Sequence, residues 1–145
     1  MQISQMCSSD IEQLSALEKE CFAIPWSEAS FRQELDNKLA YYLIARDADK
    51  VIGYCGVWFV AGEGQITNIA VHPEYRRKHV ASGILEGIIS HAKQTGISVL
   101  SLEVRVSNTS AQALYKKYGF TPVGSRKSYY ADNNEDAIIM AVNLQ

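Results

Sequence analysis

The chain of 145 residues is 47% apolar and 21% charged with a net charge of −2, which fits one globular domain over residues 1–145, carries no sign of disorder, and argues against a general nucleic-acid binder, which needs a strongly basic face. Cys7, Cys21 and Cys55 stand far apart, with no C-x-x-C pair and no histidine at ligand spacing, so reduced thiols are expected and neither a disulfide framework nor a zinc site. The opening MQISQMCSSD lacks a secretory pattern and no apolar run nears the ~18 residues of a membrane span, which points to a soluble cytoplasmic protein.

Residues 2–6 are expected to form a short strand. Ser9 followed by Glu12 reads as a capping box, and Ile11, Leu14, Leu17 and Cys21 recur at helical spacing, so a first helix should end near Phe22. Pro25-Trp26-Ser27 then breaks the chain. With Ser27 as N-cap, Trp26 and Phe31 occupy the positions of a hydrophobic staple, and a second short helix runs to about Asp36. Strands follow: 41–46 and 50–60 around the turn Asp47-Ala48-Asp49, then a turn over 61–64 into a strand over 65–71. A helix from about Val80 to Gln94, closed by Gly96, leads to a strand over 98–104 and a helix from about Thr109 to Tyr118, closed by Gly119. This β-α-β unit makes strands 65–71 and 98–104 parallel neighbours. Segments 120–130 and 136–143, joined by a polar turn, read as a closing hairpin. The fold class is therefore α/β with a mixed, mostly antiparallel sheet and about four flanking helices.

The stretch Asn68 to Leu85, NIAVHPEYRRKHVASGIL, changes character three times. Ile69, Ala70 and Val71 end a strand at Pro73, which cannot donate to a ladder. Arg76, Arg77, Lys78 and His79 form a basic loop, and Ala81, Ser82 and Gly83 open the next helix. A helix start leaves N–H groups unpaired and carries the positive end of the macrodipole, so the loop suits a phosphorylated ligand. A solvated charged loop or a nucleic-acid patch is the alternative. Gly83 and Gly87 lie inside the helix, where each costs roughly 1 kcal/mol against alanine. Tight packing is expected at Gly87, and at Gly83 either packing or a close phosphate.

A ligand seated there should reach toward LEVRVSNTSAQALYKKYGF. Glu103 ends an apolar strand and faces either its inner side or its mouth, with Arg105 as a possible partner. Asn108 is the expected N-cap of the following helix. Tyr115 lies two turns along nearly the same face, and the small Ala111 leaves that face open. Each residue also has a plain structural use: an ion pair, a cap, a half-buried core ring.

These residues together resemble the GNAT superfamily of N-acetyltransferases, over the whole chain. The family's pyrophosphate loop, [Q/R]-x-x-G-x-[G/A], reads Arg76-Arg77-Lys78-His79-Val80-Ala81 here. Ile24-Pro25-Trp26-Ser27, Leu102-Glu103-Val104-Arg105, Ser107-Asn108, Tyr118-Gly119-Phe120, Tyr129-Tyr130 and the strand from Glu135 to Met140 are similar to the RimI type, whose members acetylate the N-terminal alanine of a small-subunit ribosomal protein. The resemblance implies acetyl-CoA as co-substrate, no metal, and direct transfer in a ternary complex. It implies Glu103 as base and Tyr115 as acid. It assigns acetyl-CoA to the backbone of Ile69, Ala70 and Val71, to the loop and helix start from Arg76 to Ser82, and to Asn108. Trp26, Tyr129 and Tyr130 are expected to bind the acceptor. The acidic residues Asp132, Glu135 and Asp136 would either meet a basic acceptor tail or form a solvated turn. His79 departs from the family's first glycine, where either its side chain crowds the pyrophosphate or the backbone needs a positive φ, which histidine tolerates better than most residues. The implied partner is a protein N-terminus, with no nucleic acid or membrane and a monomeric enzyme. The alternatives are a lysine or small-molecule amine as acceptor, or a module that binds acyl-CoA or nucleic acid without catalysis.

Overall fold

The computed structural model describes every residue from Met1 to Gln145. After strand β1 (Gln2–Gln5) and one 3-10 turn comes helix α1 (Ile11–Cys21). Its cap differs from the expected Ser9–Glu12 box. Asp10 accepts from the Cys7 N–H at 2.8 Å, so the reciprocal cap belongs to the 3-10 turn, while Asp10 itself stands at the N-cap of α1 without a side-chain bond to that helix. The reason is tertiary: the Asp10 carboxylate is buried and also takes two bonds from the Arg46 guanidinium, a pairing that removes the cost of desolvating it. Helix α2 (Glu28–Leu35) begins as expected, with Ser27 Oγ accepting from the Ser30 N–H at 3.2 Å and the Trp26 and Phe31 rings 5.6 Å apart.

Strands β2 (Ala40–Asp47), β3 (Lys50–Val60) and β4 (Glu63–Val71) form the antiparallel meander. Helix α3 (Val80–Gln94) ends at a left-handed Gly96, φ +78°. Strand β5 (Val99–Arg105), helix α4 (Thr109–Lys117), β6 (Thr121–Arg126) and β7 (Ala137–Asn143) complete the chain. The seven strands make one sheet in the order β1-β2-β3-β4-β5-β7-β6. The last strand thus lies inside the sheet, between β5 and β6, and pairs antiparallel with both.

Both faces of the sheet are covered. On one, Ile84, Leu85 and Ile88 of α3 pack on Leu43, Ile52 and Val57 in a cluster that also takes in Tyr115. On the other, Ile11 and Leu14 of α1 and Phe31 of α2 pack on Tyr42, Ile44 and Tyr54. The helical glycines serve this packing. A Cβ on Gly87 would stand 2.7 Å from Leu43 Cδ1, and one on Gly83 would stand 3.0 Å from Met1 Cε and 3.2 Å from Ile3 Cδ1. What a side chain at Gly83 would meet is Met1 and the edge of β1, the packing use, one of the two expected there.

The tightest glycine is Gly56, where a Cβ would lie 2.4–2.9 Å from the Tyr42 ring. That ring cannot step aside freely, because its hydroxyl donates to Glu34 at 2.8 Å. Gly56→Ala is therefore expected to cost about 1–3 kcal/mol, the usual range for an overpacked core. A lower midpoint in urea at unchanged m-value would report it.

Candidate active site

The site exists because β4 and β5 pair only briefly. Glu63, Gly64 and Gln65 run parallel to Val99, Leu100 and Ser101, and beyond them the ladder ends. On its other edge β4 pairs with β3 with a register shift: Gly56 faces Asn68 and Val57 faces Ile66, leaving Thr67 as the extra residue of a bulge. A bulge bends the strand that carries it. From Ile66 to Val71 the β4 edge toward β5 therefore has no strand partner, and a cleft of about 910 Å³ opens between the two strands. An unpaired strand edge offers N–H and C=O groups to an extended ligand.

Ile69, Ala70 and Val71 line this cleft, as do Arg76 and Ala81. Arg76 Nε donates to the Val71 carbonyl at 3.3 Å, which ties the basic loop to the strand end. Arg77, Lys78, His79, Val80 and Ser82 are not among the lining side chains. Val80 is buried in the core, and Lys78 Nζ sits 5.4 Å over the Tyr75 ring. What these residues offer a ligand is backbone. Arg77 and His79 both adopt φ +63°, and His79 is the N-cap of the fifteen-residue α3. The first turn of such a helix leaves N–H groups without intrahelical partners, aimed where an anion binds. A phosphorylated ligand thus fits the loop through main-chain donors, Arg76 and the helix dipole.

The positive φ at His79 is one of the two alternatives for the slot where the family places glycine. His79→Gly is expected to leave acetyl-CoA affinity within about tenfold, or ~1.4 kcal/mol. Titration calorimetry measures it, and a larger loss would give the imidazole a positive role.

Across the cleft, Leu100, Leu102 and Val104 of β5 point into the core, while Ser101, Glu103 and Arg105 share the alternate face. Glu103 lies just past the parting of the strands. Its partner is Arg126 of β6, whose Nε donates at 3.1 Å, and Gln65 Nε2 adds donors at 3.3 and 3.4 Å. The expected Arg105 partner is wrong. Arg105 turns instead to Asp132 and Glu135. Two strand residues on one face sit about 6.6 Å apart, whereas β6 and the β6–β7 loop bring their own charges within contact.

Asn108 caps α4, its Oδ1 accepting from the Ala111 N–H at 3.1 Å, and Asn108, Ala111 and Tyr115 all line the cleft. Tyr115 is 4% exposed and packs on Phe120 with ring centroids 5.8 Å apart. Burial pushes its phenol well above the ordinary tyrosine range, so it stays protonated. Trp26, Tyr129 and Tyr130 also line the cleft, from the α1–α2 elbow and the β6–β7 loop.

One lining group escaped the sequence reading. Glu18 is 1% exposed and accepts from the Trp26 N–H at 2.9 Å and the Tyr54 hydroxyl at 2.8 Å, with Asn68 Nδ2 donating to Tyr54 at 2.6 Å. Burial pushes its carboxyl up, and these donors only partly offset that. The signal was present: Leu14, Leu17, Glu18 and Cys21 share the apolar stripe of α1, and a glutamate in such a stripe must find donors.

Residues 11–120 match the acetyltransferase (GNAT) family, and the chain belongs to that family of acetyl-CoA-dependent acyltransferases. Among its relatives, a candidate ribosomal protein bS18-alanine N-acetyltransferase of Bacillus subtilis (strain 168) is 43% identical over 143 residues, spanning 98% of this chain and 95% of that one. The ribosomal protein bS18-alanine N-acetyltransferase of Escherichia coli (strain K12) is 34% identical over 144 residues, spanning 98% and 97%. The crystal structure of the ribosomal-protein-S18-alanine N-acetyltransferase from Escherichia coli superposes with a TM-score of 0.92 at 33% identity, over 99% of this chain and 94% of that one. No helix of the chain is long and apolar enough to cross a membrane.

Proposed function

We propose that the 1–145 unit transfers acetyl from acetyl-CoA to the α-amino group of the N-terminal alanine of ribosomal protein bS18. The observation that carries this is the pairing, in one cleft, of the Glu103 carboxylate and the buried Tyr115 phenol beside the free edge of β4. The relatives of like name supply the acceptor.

Glu103 takes a proton, through water, from the acceptor ammonium, and the free amine attacks the thioester carbonyl carbon. An N–H of the Ile69–Val71 edge receives the developing oxyanion. The C–S bond then breaks, Tyr115 donates its proton to the leaving thiolate, and the second proton of the attacking nitrogen, carried through water, restores the phenol as the neutral amide leaves. An α-amino group titrates near ~7.7–8.0 and a lysine near ~10.4, so a carboxylate base has far less to do at a chain terminus.

Direct transfer is favoured over an acyl-enzyme because the internal thiols are poor nucleophiles. Complete burial pushes the Cys55 thiol up to about 12, and burial also raises Cys21. On this reading the enzyme acts in the cytoplasm as a monomer, holds no metal, and meets its acceptor as protein without nucleic-acid contact.

The test is incubation of the enzyme with acetyl-CoA and bS18, followed by fragmentation mass spectrometry. Acetyl on the α-amino nitrogen of the first residue is the expected result. Acetyl confined to lysine side chains, or absent while small amines are acetylated, would replace this acceptor with the rival class.

A further inference from the structure

The β6–β7 connection, residues 127–136, carries Tyr129 and Tyr130 over the cleft and has little apolar anchorage of its own. Tyr129 is 48% exposed, and the backbone reaches left-handed angles at Ser128 (φ +51°) and Asn134 (φ +57°). Its own backbone bonds are two: Tyr130 N–H to the Glu135 carbonyl at 3.2 Å and Asn134 N–H to the Tyr130 carbonyl at 2.8 Å. Side chains add three bonds within it, from Ser128 N–H to Asp136 Oδ1 at 2.8 Å, from Glu135 N–H to Asn133 Oδ1 at 3.0 Å and from Asn133 Nδ2 to Glu135 Oε1 at 3.4 Å, yet none of these reaches Tyr129 or Tyr130, whose placement over the cleft needs a hold from outside.

Arg105 does so from the neighbouring strand. One terminal nitrogen donates to both Asp132 oxygens, at 3.0 and 2.9 Å, and the other to Asn133 Oδ1 at 3.2 Å and Glu135 Oε1 at 3.3 Å. The guanidinium carbon lies 4.0 Å over the Tyr130 ring. One planar group thus grips three loop side chains by its edge and a fourth by its face, a combination open to arginine and closed to lysine. Glu135 is fixed again from behind, since its Oε2 accepts from the Ser107 N–H at 2.6 Å; hydrogen bonds from Ser107 hold its carboxyl down to about 2.

We infer that Arg105 is a positioning residue for the acceptor: by clamping residues 130–135 it sets the Tyr129–Tyr130 wall of the cleft, and so governs acceptor binding without touching acetyl-CoA. This rests on the proposed N-terminal acetyltransferase reading. The acidic loop residues are thereby largely occupied within the protein; Asp132 and Glu135 face Arg105 and are not free to recruit a basic tail.

The test compares full-length wild type with R105K, R105M and D132N, using acetyl-CoA, a decapeptide copying the N-terminus of bS18, and amide exchange read by mass spectrometry. R105K and R105M should raise the peptide KM about tenfold or more with the acetyl-CoA KM within about twofold, and speed exchange across residues 128–136. D132N, which keeps the arginine and removes one partner, should move both readouts the same way by less. Wild-type exchange in R105M, or faster exchange with an unchanged peptide KM, overturns the inference. An equal rise in both KM values overturns it too, because that is a general loosening. Should wild type ignore the peptide, the bS18 reading fails by itself, and the exchange rates still decide whether Arg105 holds the loop.

Discussion

Tyr115→Phe should slow turnover by about 10² or more and leave acetyl-CoA binding unchanged, the scale of a lost general acid. The substitution removes one oxygen and keeps the ring that packs on Phe120, so the fold gives no other reason for a large effect. The phenol makes no hydrogen bond within the protein. Burial and the neighbouring Cys55 and Tyr130 all disfavour the tyrosinate, so the proton is present throughout the working range. Turnover should therefore show no alkaline loss from Tyr115 up to pH ~10, the ordinary tyrosine value. The raised pKa makes this a weak acid toward a thiolate, and its proton moves only as charge builds on sulfur. Single-turnover rates of Tyr115→Phe, with donor affinity from calorimetry, check both halves. Loss of affinity in place of rate would make the tyrosine a binding group.

Glu103→Gln is the second large effect, again about 10² or more in turnover. The amide keeps the shape and can still meet Gln65, while Arg126, 54% exposed at its side chain, is left to solvent at little cost. A folded enzyme with unchanged acetyl-CoA binding is expected. Near-normal turnover in both variants would remove the proposed acid and base together.

Much of this was legible in the chain. The meander, the β-α-β unit and the cap at Ser27 follow from local signals, since turns, staples and caps are made by neighbours in sequence. The αL backbone at His79 was legible only as one of two alternatives, since it was the resemblance to a glycine slot that pointed to it. What failed depends on distance along the chain. The cap of α1 moved to Asp10 because Arg46, 36 residues away, stabilises that carboxylate. The partner of Glu103 proved to be Arg126, because the contact depends on where β6 lies relative to β5, and no local pattern encodes it. Parallel pairing of β4 and β5 was expected, but not its end after Gln65, which follows from a bulge at Thr67 opposite a third strand.

The position of β7 bears on how the protein is made. Strand β5, which carries Glu103 and Arg105, is joined to β4 at only three residues, but to β7 along its full length from Val99 to Arg105. Its main neighbour is thus the last strand of the sheet to be made. Folding proceeds as synthesis does, from the N-terminal side, and the meander with α1, α2 and α3 can collapse while β5 and α4 still lack their companion. The cleft thus depends on β7, and its β5 wall gains its full partner only once that strand has been made.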